Sequence, residues 1–134
     1  MALKLSKGQM LAIDTKDKNI LVSAAAGSGK TFVLTQRVLS RIINDKWNID
    51  SFLIVTFTRD AAAEMKDRIV KAIESKLIDL DDIELREHLE RQLVLINRAN
   101  ISTIDAFCAN VIRQNFHKID LDLGYRNITQ NEAI

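Results

Sequence analysis

Hydrophobic positions along this chain recur alternately at strand and helix spacing. Ile20-Leu21-Val22 is a short apolar run that leads into small residues, as a strand leads into a loop. Leu34, Val38 and Ile42 then recur every four residues and predict a helix over about 31 to 44, which the polar stretch Asp45 to Asp50 ends. Phe52-Leu53-Ile54-Val55-Thr56-Phe57 is a continuous apolar run between polar flanks and predicts a strand buried on both faces of a parallel sheet. Thr58 can cap a following helix whose stripe is Ala62, Met65, Ile69 and Ile73. Asp81 and Glu84 have capping-box spacing ahead of a stripe at Leu85, Leu89, Leu93 and Ile96. Asn100 to Ile104 is a third strand candidate, and Asp105 stands at the N-cap position of a last helix carrying Phe107, Val111, Ile112 and Phe116. Lys118 to Ile134 shows no clear period. Alternating β and α segments predict an α/β fold with a parallel sheet flanked by helices.

The chemistry is concentrated after the first strand candidate, in Ala24-Ala25-Ala26-Gly27-Ser28-Gly29-Lys30-Thr31. Gly27 and Gly29 allow a tight turn that brings backbone N–H groups against phosphate oxygens. Lys30 reaches the β- and γ-phosphates, Thr31 offers a hydroxyl to Mg²⁺, and the helix beginning there adds the positive end of its dipole. The octet therefore reads as a P-loop for ATP and Mg²⁺, with Lys30 the catalytic residue and all eight positions at the cofactor. Its first position is Ala24 where the general pattern has glycine. The bland alternative is a small-residue turn between strand and helix.

Composition adds limits rather than detail. The chain has 134 residues, 47% hydrophobic and 28% charged, an ordinary balance for one globular domain with a real core. No apolar run approaches the roughly 20 residues that span a bilayer, and Met1-Ala2-Leu3-Lys4 lacks a secretory apolar stretch, so a cytoplasmic protein without membrane contact is expected. A net charge of +1 excludes a global basic field, and any nucleic-acid contact must be a local site. Cys108, the single cysteine, sits in Ala106-Phe107-Cys108-Ala109 and reads as part of a packed helix face. His88 and His117 lack partners for a metal site or triad and read as surface residues.

Turnover of a nucleotide needs a second strand ending in carboxylates that hold Mg²⁺ and orient water. Leu77-Ile78-Asp79-Leu80-Asp81-Asp82 and Ile42-Ile43-Asn44-Asp45 both fall within or between helical patterns. Nucleotide binding without hydrolysis is the expectation for this stretch alone.

Three further segments extend the pattern. Leu5-Ser6-Lys7-Gly8-Gln9-Met10-Leu11-Ala12-Ile13 precedes the P-loop, as the Q motif does in superfamily 1 helicases. The run Ile54 to Ile69, with Thr56-Phe57-Thr58-Arg59-Asp60-Ala61-Ala62-Ala63-Glu64-Met65 at its centre, looks like their motif Ia, and Ile101-Ser102-Thr103-Ile104-Asp105-Ala106-Phe107-Cys108 like motif Ib. Taken with the P-loop, the chain resembles the extreme N-terminus of the AddA (RexA) family of bacterial helicase–nuclease subunits, relatives of UvrD and RecB. Arg59 stands where that family usually has Asn, and Asp105 where it has His.

The resemblance implies a P-loop NTPase of RecA-like architecture, with residues 1–134 a single partial domain, the N-terminal piece of helicase domain 1A. The remaining helicase motifs and a nuclease domain would lie elsewhere in a longer parent. It further implies an ATP-dependent DNA helicase with exonuclease activity in the parent chain, processing double-strand breaks for recombinational repair with an AddB (RexB)-type partner subunit on single- and double-stranded DNA, moving 3′ to 5′. Residue by residue, it implies that Gln9 reads the adenine edge, although Ser6 and Gln9 also have capping-box spacing. Thr56, Phe57 and Thr58 would contact single-stranded DNA, with Phe57 stacking on a base. Read without the resemblance, Phe57 is core and Thr58 a helix cap. Thr103 would reach DNA, and Asp105, which would repel a phosphate, is left as the helix cap. A P-loop kinase and a non-catalytic nucleotide-switch module are the competing readings.

Overall fold

The computed structural model describes residues 5–23, 25, 27 and 29–118. Among the described residues, five α-helices and two strands run in the order α1 (Lys7–Asp14), α2 (Lys30–Asn44), β1 (Leu53–Thr56), α3 (Arg59–Ile78), α4 (Ile83–Leu95), β2 (Asn100–Thr103) and α5 (Ile104–Asn115). β1 and β2 pair in parallel with Leu53 opposite Asn100 and Thr56 opposite Thr103. Parallel neighbours cannot be joined by a tight turn, and α3 with α4 provides the crossover.

The stripe Ala62, Met65, Ile69 and Ile73 is buried along α3, as the spacing requires. Met65, Ile69 and Ile73 of this stripe meet Val38, Leu39 and Ile42 of α2, Ile54 of β1 and Leu89 of α4 in one core, into which Ile49 and Ile96 also pack. Gln92 is fully buried in α4 and is satisfied throughout: its Oε1 accepts from Ile49 N at 2.8 Å, and its Nε2 donates to Asn48 Oδ1 and His88 O, each at 3.1 Å. That one amide ties the connection before β1 to the crossover.

Several expectations change. Ile20-Leu21-Val22 forms no strand, and Leu21 is 95% exposed. A strand needs a ladder partner; β1 and β2 satisfy one another, and the described sheet has those two strands rather than a full RecA-like set. β1 is consequently buried on one face through Ile54, with Leu53 and Val55 exposed on the other. Leu34, assigned to the buried stripe of α2, is exposed on the same account.

Other corrections concern single residues. The cap of α4 is Asp82, not Asp81: its carboxylate accepts from Leu85 N at 3.0 Å. Thr103 rather than Asp105 caps α5, accepting from Ala106 N at 3.2 Å, because β2 runs directly into the helix and leaves Asp105 in its first turn. His88 is buried, with Nε2 3.1 Å from Ile42 O. Facing the α2 C-terminus consumes an imidazole as readily as facing water. Cys108 is exposed, since α5 has no buried residue. His117 is exposed as expected. The tail beyond Lys118 lies outside the described residues.

Candidate functional site

α1, α3, α4 and α5 each begin on a side-chain cap: Ser6, Thr58, Asp82 and Thr103. α2 does not. Its N-cap is Gly29 at φ 83°, with no side-chain cap hydrogen bond and no acidic residue in the first turn. Gly27 is also left-handed at φ 76°. Such a backbone is strained for any side chain but open to glycine, and an N-cap glycine offers the first turn of this 15-residue helix no side-chain acceptor of its own. Lys30 Nζ donates to Ala25 O at 2.8 Å, which sets the ammonium against the loop itself. Thr31 is exposed in the first turn, and its carbonyl accepts from Thr35 Oγ1 at 3.0 Å. Ala24, Ala26 and Ser28 lie outside the described residues.

The capping box at α1 is complete. Ser6 Oγ accepts from Gln9 N at 3.2 Å, and Gln9 Oε1 accepts from Ser6 N at 2.8 Å. The same Gln9 side chain reaches the loop: a Cβ added to Gly29 would lie 3.6 Å from Gln9 Nε2. That distance is ordinary contact, so the backbone angle and not crowding is what demands glycine there. A cavity of about 590 Å³ opens between α1 and α2, with Gln9, Lys30, Leu11 and the 20–22 segment on its walls. Its size is within the range of small-molecule sites.

Two arginines of α2, absent from the sequence expectations, secure α1. Arg37 Nη1 donates to Ala12 O at 2.6 Å and Thr15 O at 2.8 Å. Arg41 Nη2 donates to Ile13 O at 3.1 Å and Thr15 O at 2.8 Å, while its Nη1 donates to Asp45 Oδ2 at 3.1 Å. Burial and the nearby Arg41 charge pull the Arg37 pKa down. Asp45 also binds Lys16, and this hydrogen bond, with the one from Arg41, holds its carboxyl below the usual value despite some desolvation.

A carboxylate depressed in this way contributes stability that is fully present above its ordinary pKa of 3.8 and disappears as pH falls through the lowered folded value. Asp45→Asn should therefore flatten the acid side of a stability-against-pH curve below about pH 4, measured by urea unfolding at successive pH values. An unchanged acid limb would mean that the ion pairs contribute nothing.

At the other end of the core, the sheet presents its C-terminal edge. Thr56 and Thr103 are register partners, and the chains leave them into α3 and α5. Thr58 Oγ1 accepts from Ala61 N at 3.1 Å, and Thr56 Oγ1 donates to Thr58 O at 2.9 Å. Phe57 between them is fully exposed, so it is not core. All four residues assigned to DNA are on this edge.

Comparison with known proteins gives a consistent picture. The family model described as UvrD/REP helicase N-terminal domain matches residues 5–133. The A subunit of the ATP-dependent helicase/nuclease of Clostridium botulinum (strain Alaska E43 / Type E3) is 50% identical over 133 residues, covering 98% of this chain and 10% of the relative. The protein of the same name from Lachnoclostridium phytofermentans is 54% identical over 129 residues, covering 95% and 9%. That of Pediococcus pentosaceus is 50% identical over 125 residues, covering 93% and 10%. The chain spans about 10% of the length of these curated relatives.

Proposed function

The chain belongs to the UvrD/REP helicase N-terminal domain family, and from that membership we propose that residues 24–31 bind ATP with Mg²⁺ as the nucleotide-binding segment of an ATP-dependent DNA helicase/nuclease subunit. The observation that carries this reading is the start of α2: left-handed Gly27 and Gly29, a helix N-terminus lacking a side-chain cap, and the Lys30 ammonium at the loop carbonyl of Ala25. Phosphate oxygens accept from backbone N–H groups and from an ammonium at such a terminus. Lys30 would exchange the carbonyl of Ala25 for the β- and γ-phosphates, and the exposed Thr31 hydroxyl would join the Mg²⁺ shell. The metal supplies charge neutralisation between phosphates when bound.

Gln9 adds the base. Adenine presents N7 as acceptor and its 6-amino group as donor, whereas guanine presents two acceptors on that edge. The Gln9 carboxamide can donate through Nε2 and accept through Oε1, whose second lone pair remains compatible with the bond from Ser6 N. On this reading one carboxamide serves both the cap of α1 and the adenine edge. Both described strands end in threonine, so this segment contributes phosphate and metal contacts, with the water-orienting carboxylate assigned to another part of the intact protein.

At the sheet edge, Phe57 would stack on a base of single-stranded DNA, with Thr56, Thr58 and Thr103 at the adjoining phosphates. In the intact protein the same reading gives ATP-driven unwinding and exonucleolytic processing of double-strand breaks in the cytoplasm, together with an AddB (RexB)-type subunit. No described helix is long and apolar enough to cross a membrane.

Calorimetric titration with Mg-ATP and Mg-GTP tests the site. ATP should bind more tightly by roughly tenfold, about one good base-edge pair, and Gln9→Ala should remove that preference. Equal affinity for both nucleotides would confine recognition to the phosphates and remove Gln9 from the site.

A further inference from the structure

α1 is a helix of eight residues, too short to hold itself in water, followed by a segment without regular structure. Its own packing is small: Ala12 and Ile13 against Val33, with Leu5 alongside. Arg37 and Arg41, one turn apart on α2, grip its far end at the carbonyls of Ala12, Ile13 and Thr15. Those carbonyls are acceptors left over at a helix C-terminus, where the dipole favours cations. Asp45 holds Arg41 from the other side and is itself bonded to Lys16, which follows α1 in the chain. In each planar fork a single terminal nitrogen, Nη1 of Arg37 and Nη2 of Arg41, donates to two of these carbonyls.

We propose that Arg37 and Arg41 are positioning residues for base recognition: by fixing the C-terminal end of α1 to the P-loop helix, they set where Gln9, one turn nearer its start, lies against Gly29, and so govern discrimination of adenine from guanine. This rests on the reading of Gln9 given above. The two ends of α1 then have separate tasks, with the C-terminal end anchored and the N-terminal end at the nucleotide. Gly29 is the first residue before the helix that carries both arginines, so the clamp and the phosphate loop belong to the same rigid element. Tilting α1 by a small angle about the clamp displaces the Gln9 amide from the base edge while leaving the loop N–H groups and Lys30 in place.

The test compares binding of Mg-ATP, Mg-GTP and inorganic tripolyphosphate to the 134-residue chain and its variants. Arg37→Met keeps the aliphatic stem and removes the fork. It should lower the ATP-over-GTP ratio roughly fivefold to tenfold, to the level of Gln9→Ala, with tripolyphosphate affinity held within about twofold. In a Gln9→Ala background the same substitution should lower the ratio no further, since it acts through that side chain. Equal losses for all three ligands would show a merely structural clamp and overturn the proposal, as would an unchanged ratio or an undiminished effect without Gln9. Should Arg37→Met fail to fold, Arg37→Gln keeps a polar side chain at the position but is too short to reach the α1 carbonyls. A lowered ratio supports positioning, and an unchanged one overturns it. A wild-type chain with no Gln9-dependent preference would refute the adenine reading itself, and the positioning role with it.

Discussion

Lys30→Ala should reduce Mg-ATP affinity by about 150-fold while leaving the fold intact. The ammonium is exposed, and its hydrogen bond to Ala25 O lies on the surface, so truncation removes little from the core. Toward a nucleotide the balance differs, because one ammonium can donate to oxygens of two phosphates at once. Each such charge-assisted bond contributes about 1.5 kcal/mol or more, and two give about 3 kcal/mol. Titration calorimetry reads the affinity, and thermal unfolding monitored by circular dichroism checks the fold. In the intact protein the same change should abolish DNA-stimulated ATP hydrolysis. Affinity retained to within about threefold would remove Lys30 from the phosphate site, since a lost charge-assisted bond cannot cost so little.

Phe57→Ala should weaken binding of a short single-stranded oligonucleotide by about 5- to 150-fold, the range of 1–3 kcal/mol that base stacking on an aromatic contributes. Fluorescence anisotropy with a labelled oligothymidine reads it, because stacking tolerates any base. Stability should hardly change: the ring is fully exposed, and its removal opens no cavity. A buried aromatic would behave oppositely, losing about 3–5 kcal/mol of stability on truncation. The pair of measurements therefore separates a DNA platform from a core residue. Unchanged affinity for single strands would leave Phe57 without a role at the sheet edge, and uncoupling of translocation from hydrolysis in the intact protein should accompany a loss.

Much of the molecule was legible in the sequence because periodicity records burial. The stripe of α3 and the Thr58 cap stand where the spacing put them, and so does the capping box of Ser6 and Gln9. The turn at Gly27 and Gly29 was legible for a different reason: glycine at φ 76° and 83° answers a local backbone demand that needs no distant partner. Caps were legible only to within a residue or two. Asp82 displaced Asp81, and Thr103 displaced Asp105, because several polar side chains compete for one terminus and the exact end of the preceding segment decides among them.

Local patterns on this chain thus determined most of the helices, the glycine loop before α2 and the family of the domain. Tertiary structure alone decided matters that depend on what lies opposite a side chain. Ile20-Leu21-Val22 has strand composition and no ladder, since hydrogen-bonded pairing requires a neighbouring backbone that composition does not supply. His88 is buried against a carbonyl of α2, and Cys108 is exposed on a helix with no buried face. Arg37 and Arg41 look like ordinary charges on a helix until α1 places its unsatisfied carbonyls against them. A charged side chain announces only its donors in sequence; its acceptors are 22 to 28 residues away, and folding brings them within reach.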